Sequence, residues 1–141
     1  MPAFTMSGLF TRFRTVLEAT PLFLKESRDA FSHDRQPNTV LTDAYYLEDA
    51  GLSQQRQITN YDAVRIDNIT VWVTRKLAFD GSAAMNTLED TLNTIDQKII
   101  ADGVAQGYNP NLDGRRMTRP EGKDYCVGSI SFAVDYDTDE S

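Results

Sequence analysis

The sequence predicts an α+β fold, a two-layer sandwich in which helices pack on one face of a mainly antiparallel sheet. Two segments carry apolar residues at helical spacing, and two others alternate apolar with polar residues. Their order along the chain is helix, strand, long loop, strand, helix, loop, strand, which is typical of this class. A chain of 141 residues is long enough for one core, so we expect a single domain spanning residues 1–141.

The first helix is predicted at residues 8–19, with Ser7 as its N-cap and Pro21 as its stop. Its apolar residues recur three and four positions apart: Leu9, Phe10, Phe13, Val16 and Leu17. Residues 22–37 have a mixed pattern, which fits either a second short helix or an irregular crossover.

The second helix is predicted near residues 82–101, after an N-cap at Asp80 or Ser82 and before Gly103 as its C′ residue. One stripe of this helix is apolar and faces the predicted core: Met85, Leu88, Leu92, Ile95 and Ile99.

Alternation predicts two main strands. A β-prone run at residues 40–47 is followed by a polar stretch, 48–62, which is either a long loop or an extended hairpin tip. A half-buried strand begins near Ile69, with these residues on one face: Ile69, Val71, Val73, Leu77 and Phe79. After a loop predicted at 103–123, the closing strand turns these residues toward the second helix: Cys126, Ile130, Phe132, Val134 and Tyr136. The acidic residues at about 137–141 are expected to form a frayed tail.

The other face of the predicted sheet is less polar than alternation alone requires. Trp72, Tyr125 and Val127 fall on that face. Either another subunit or the chain's own long loops would then cover part of it.

The charge distribution excludes several classes of function. The net charge is −7, and residues 124–141 contribute five carboxylates and no basic side chain. Without a broad basic face, tight binding to DNA or RNA is not expected.

We find no apolar stretch of the roughly 20 residues that span a bilayer, and no secretory signal at the start. The lone cysteine, Cys126, fits a reducing cytosol and is expected to be a small buried side chain.

The residues available for chemistry are few. His33 is the only histidine, in a polar run typical of a solvated loop, and Cys126 is the only thiol. A nucleophile with its base, or a metal centre, would have to be built from these two and carboxylates. The acidic run at 135–140 lacks the glycine and the later glutamate of a calcium loop, and no phosphate-binding glycine loop is present. We therefore predict no enzyme, cofactor or metal site.

Three arginines form the only dense basic group: Arg115, Arg116 and Arg119. They belong either to a solvated loop or to a surface that grips an acidic partner or nucleic-acid phosphates. Together with Trp72 they are the candidate contacts with a neighbouring subunit or partner. The 48–62 segment is an equally good candidate, because long loops in small domains are commonly functional.

The second half of the chain resembles the tail terminator (tail completion) proteins of long-tailed bacteriophages. The resemblance lies in the run NITVWVTRKL at 68–77, the helix Met85–Ile99, the Gly-rich loop after it, and the closing run GSISFAVDY at 128–136. It is one of element order and pattern over about residues 65–137. Segment 22–37 departs from the shorter members of that family.

That resemblance implies a structural role in the virion, with no catalytic residues to carry over. Family members form a hexameric ring at the head-tail junction, which caps the tail tube, stops its polymerisation and provides the surface for head docking. The implied partners are further copies of the chain, the tail tube protein and a head-completion or connector protein. DNA would pass through the lumen without specific binding, and assembly would take place in the host cytoplasm. The alternatives are a head-completion or neck adaptor protein and a small non-viral cytosolic binding module.

Overall fold

The chain has an α+β fold in which both helices pack on one face of a mixed sheet. The computed structural model describes residues 4–19, 22, 24–27, 43–57, 62–76, 81–118 and 125–139. Within them the elements are α1 (Met6–Glu18), β1 (Lys25–Glu26), β2 (Ala44–Gln57), β3 (Asp62–Lys76), α2 (Gly81–Gln106), β4 (Asn109–Thr118) and β5 (Tyr125–Asp139). The strand order is β1-β2-β3-β5-β4. The predicted fold class is confirmed.

The sheet is antiparallel except at one edge. The short strand β1 runs parallel to the start of β2, whereas β2–β3, β3–β5 and β5–β4 are antiparallel pairs. Strands β2 and β3 form an extended hairpin, paired from Tyr45 with Val73 to Gln57 with Ala63. The extended-hairpin alternative for the 48–62 segment is therefore the one that fits, since β2 continues through Gln57. The predictions for Pro21, His33, Leu77, Phe79 and Asp80 lie outside the described residues.

The core lies between the helices and one face of the sheet. Phe13 of α1 meets Phe132 of β5 edge to face, with ring centroids 5.9 Å apart. The described members of the predicted stripes on α2, β3 and β5 are buried as expected, and these are fully enclosed: Leu88, Leu92, Ile95, Ile99, Ile69, Val71, Val73, Cys126, Val134. Cys126 is thus the small buried side chain that the sequence predicted.

Both helices have different ends from those predicted. Thr5 caps α1, because its hydroxyl accepts the Gly8 N–H at 3.0 Å, and Ser7 lies inside the helix. Helix α2 continues past Gly103 and stops at Gln106, where Gly107 adopts a φ of +100°. Gly103 instead allows a close approach of β4, since a Cβ there would lie 2.6 Å from Cδ of Pro110.

The loop predicted at 103–123 is wrong over most of its length. Residues 109–118 form β4, which pairs with β5 from Asn109 opposite Asp135 to Thr118 opposite Val127. The turn-forming residues fit this strand because it lies at the sheet edge and contains a bulge between Leu112 and Gly114.

The frayed acidic tail predicted at about 137–141 is also wrong for its first three residues. Asp137, Thr138 and Asp139 continue β5 and pair with β3. The Phe4 N–H donates to the carbonyl oxygen of Asp137 at 2.8 Å, and Thr138 is buried. Strand β3 on one side and the N-terminal segment at Phe4 on the other thus hold this end of β5 in place.

Candidate functional site

Arg115 lies on β4 and ties the sheet edge to the helix layer. It is opposite Ile130, so it faces the helices. Its guanidinium donates to the side-chain oxygen of Asn93 and lies 3.7 Å from a carboxylate oxygen of Glu89, both on α2. Of its side chain, 40% remains exposed. Arg115 is therefore only partly available to a neighbour.

Arg116 points to the opposite face and is exposed. It is opposite Ser129 on β5, and Trp72 of β3 is opposite Ser129 from the other side. The two candidate contact residues therefore share one row of the sheet, with β5 between them and a backbone separation of roughly 10 Å. No ion pair of Arg116 is present within the part of the chain that the structure describes. The third arginine, Arg119, lies outside the described residues.

Trp72 belongs to a small apolar cluster on the face away from the helices. Its neighbours there are Tyr46, Tyr125 and Val127. Tyr125 and Val127 are each only 1% exposed in a single chain, so the chain itself covers them. Of the two alternatives for this face, cover by the chain itself accounts for these two residues. Trp72 and Tyr46 are half-buried at the border of the cluster.

Strand β4 forms what we term the basic edge, defined by Leu112, Arg115 and Arg116. All three are exposed, and Leu112 retains 49% of its accessible surface. Ile100 and Val104 lie two and three turns after Asn93 on α2, so they are on the same face of the helix as Asn93, which Arg115 contacts. They are 42% and 84% exposed. A positively charged strand segment thus adjoins exposed apolar side chains.

Strand β2 forms what we term the acidic edge, defined by Glu48, Asp49 and Leu52. Leu52 is 50% exposed, and residues 48–51 are exposed as well. Among the described residues, β1 pairs with β2 only at Ala44 and Tyr45, so no described strand occupies this edge farther along. Gly51 has a φ of +106° and its N–H donates to the Asp49 carboxylate at 3.0 Å. That local turn produces the irregularity in β2 between Asp49 and Gly51.

A groove of about 320 Å³ lies between α1 and α2, lined in part by Arg12, Lys98 and Asp102. The Arg12 guanidinium makes two hydrogen bonds to the Asp102 carboxylate, at 2.5 and 3.2 Å, and the Tyr108 hydroxyl donates to the same carboxylate at 2.6 Å. The bonds to Asp102 raise the pKa of Arg12, and burial with its bond to Asp102 raises the pKa of Tyr108. Arg12 of α1 and Asp102 of α2 are thus paired with each other, and this ion pair joins the two helices.

A second buried polar contact lies at the far end of β5. The Tyr136 hydroxyl donates to the Asp67 carboxylate of β3, and both residues are buried. Burial and this hydrogen bond raise the pKa of Tyr136 to about 12. The protonated tyrosine supplies the donor that the buried carboxylate requires.

The described residues contain no group of three or more histidine, cysteine, aspartate or glutamate side chains with metal-binding geometry. Over the same residues, no helix has both the length and the apolar character that crossing a membrane requires. No protein-family model matches this sequence, and no curated protein is significantly similar to it.

The sequence identifies both edges in part, the basic one by its arginines and the acidic one only as the 48–62 segment. Arg115 and Arg116 were identified as a basic group, although on a loop. Glu48 and Leu52 lie in the 48–62 segment, which is a candidate only as a whole, and Leu112 is not identified, because turn-forming residues interrupt the alternation of both edge strands. Two exposed leucines within polar runs, each three or four residues from a charged pair, are the signal that could have identified them.

Proposed function

We propose that this chain is a structural subunit that assembles into a ring at the head-tail junction of a long-tailed bacteriophage, as a tail terminator protein. In that role it caps the tail tube and presents the surface to which the filled head docks. Its partners are further copies of itself, the tail tube protein and a head-completion or connector protein. DNA passes through the lumen without sequence-specific contacts, and the protein resides in the virion after assembly in the host cytoplasm.

One observation carries this proposal: the sheet has exposed segments at both edges, and these segments differ in charge. The basic edge carries two arginines and an exposed leucine, and the acidic edge carries two carboxylates and an exposed leucine. Two different, complementary surfaces on one chain favour head-to-tail association. Such an association closes into a ring when a whole number of equal rotations between copies completes a full turn, and otherwise gives an open filament. A surface that paired with itself would instead favour a two-fold dimer.

The order of elements supports the same role. The resemblance rests on a strand, a helix and a closing strand over about residues 65–137, and β3, α2 and β5 occupy that order. The additional strand β4 lies inside that region and forms the basic edge.

The first experiment measures the mass of the purified full chain in solution and images the particles by negative-stain electron microscopy. We expect closed rings of uniform size, with six subunits implied by the resemblance. A protein that stays monomeric at the highest concentration measured would overturn the proposal.

A second experiment assigns the position in the virion. Disruption of the gene in the phage that encodes it is expected to give overlong tails and unattached filled heads, because nothing stops polymerisation of the tube. Unattached tails of normal length would instead indicate a head-completion or neck adaptor protein. Unchanged particles would indicate a binding module outside the virion.

A further inference from the structure

We infer that the subunits of the ring join edge to edge, with the basic edge on β4 of one copy paired antiparallel to the acidic edge on β2 of the next. This inference rests on the proposed ring and names the surface that builds it. Three side-chain pairs define the contact: Leu112 with Leu52, Arg115 with Asp49, and Arg116 with Glu48.

The spacing of the residues along the two strands supports this pairing. Two residues separate Leu112 from Arg115, and two separate Asp49 from Leu52. When the strands run antiparallel, alignment of the two leucines therefore places an arginine opposite each carboxylate. Each segment contains one irregularity, between Leu112 and Gly114 on β4 and between Asp49 and Gly51 on β2, so neither strand loses the register relative to the other.

The faces to which the side chains point also agree. Leu112 and Arg115 are opposite Phe132 and Ile130, whose side chains face the helices. On β2, Asp49 is opposite Ile69 and Leu52 is opposite Asp67, which are on that same face.

The third pair lies on the other face. Arg116 is opposite Ser129, and Glu48 is opposite Thr70. Each proposed pair thus joins two side chains on the same face of a continuous sheet, as cross-strand neighbours require. A shift of one residue would turn every arginine away from its carboxylate.

The direction of the strands fits a ring. Inside one chain, three successive antiparallel pairings separate β2 from β4, so the two edge strands run in opposite directions. Rotation about an axis roughly parallel to the strands keeps each strand's direction. The next copy's β2 then arrives antiparallel to β4, which is the orientation that the side-chain pairs need.

The contact is short and depends on side chains. The segments 48–52 and 112–116 are five residues each, and Pro110, which has no N–H, lies just beyond the second. Opposite charges across a sheet add modest free energy, whereas like charges would oppose the pairing of one acidic edge with another. A second copy of this chain is the occupant because the complementary charges lie on the chain itself.

The first test reverses the charges. Arg116→Glu is expected to weaken subunit association by about tenfold or more, because Glu48 of the neighbour would then face a like charge. Glu48→Arg should have the same effect, and the double variant Arg116→Glu/Glu48→Arg should restore assembly. Lys98→Glu is the matched control, since this exposed lysine in the groove between the helices changes the charge equally. Association is followed by analytical ultracentrifugation beside a thermal melt of each variant. If Arg116→Glu assembles like the wild type, the inference is overturned.

The second test uses cysteine cross-links. Directly opposite residues in an antiparallel pair have Cα separations of roughly 4.5–5.5 Å, which a disulfide can span. Leu52→Cys/Leu112→Cys should give a ladder of covalent oligomers under mild oxidation, whereas each single variant should stay uncross-linked. The native Cys126 is fully buried and does not compete.

The outcomes separate this inference from the proposed function. Rings without cross-links would leave the ring standing and overturn the edge pairing. Cross-linked open chains would support the pairing and overturn ring closure. Cross-linking of Leu112→Cys alone would show that β4 pairs with itself, which contradicts the inference.

Discussion

The two faces of the sheet are built from alternate residues of the same strands, yet they have different physical roles. Toward the helices, β3 and β5 contribute fully buried aliphatic and aromatic side chains such as Val71 and Phe132. On the other face, the Thr70 and Ser131 hydroxyls lie 3.0 Å apart. The free energy of folding is therefore concentrated on the helix-bearing face, because apolar burial dominates it. Changes at the exposed positions of the other face and at the edges should affect association more than folding.

The difference between the two faces is tested most directly by placing a charge on each face at adjacent positions and comparing the losses of folding free energy. Phe132→Asp places a carboxylate in a site that is 0% exposed and packed against Phe13, and it should cost more than about 4 kcal/mol. That loss is a large fraction of the total stability of a domain of this size. Ser131→Asp, on the other face, should cost about 1 kcal/mol. Both values come from chemical denaturation followed by circular dichroism, and equal costs would show that the faces are wrongly assigned.

Much of this face assignment could be predicted from the sequence, because strong periodicity reports burial directly. The stripes of α1, α2, β3 and β5 were identified for that reason. The edges of the sheet could not be predicted, because an edge strand is solvated and its residues need not alternate. The interval from Asn109 to Gly114 resembles a turn in composition, and only pairing with β5 makes it a strand. Similarly, Gly103 has the composition of a helix end, but close packing against Pro110 explains the glycine.

The end of β5 tests whether the difference between the faces extends to the terminus. Tyr136 and Thr138 are buried, whereas Asp135 and Asp137 are half-exposed. Truncation after Tyr136 removes the last three pairings with β3 and the contact from Phe4. We expect a loss of about 3 kcal/mol, since each net hydrogen bond contributes about 1 kcal/mol. Thermal melts measure it, and truncation after Asp139 is the control, with little expected change. An unchanged melting temperature for the shorter chain would restore the frayed-tail interpretation.

The smallest expected effect concerns the buried polar pair at that same end. Tyr136→Phe leaves the Asp67 carboxylate without the donor of its hydrogen bond, and it should cost about 1–2 kcal/mol at neutral pH.

The same substitution should also change the response to alkali. Burial and the hydrogen bond to Asp67 raise the pKa of Tyr136 to about 12, against about 10 in the unfolded chain. As the pH rises, the unfolded chain releases this proton first, so the stabilisation is complete below about pH 10 and is lost between about pH 10 and 12. Tyr136→Phe should flatten that decline without abolishing it, because burial and hydrogen bonds to carboxylates also raise the pKa of Tyr45 and Tyr108. Unfolding free energies across this range, with tyrosinate absorbance as a second signal, measure the effect. An equally steep decline in the variant would show that the Tyr136 hydroxyl titrates alike in the folded and unfolded chains, and that this end of the helix-bearing face is open to water.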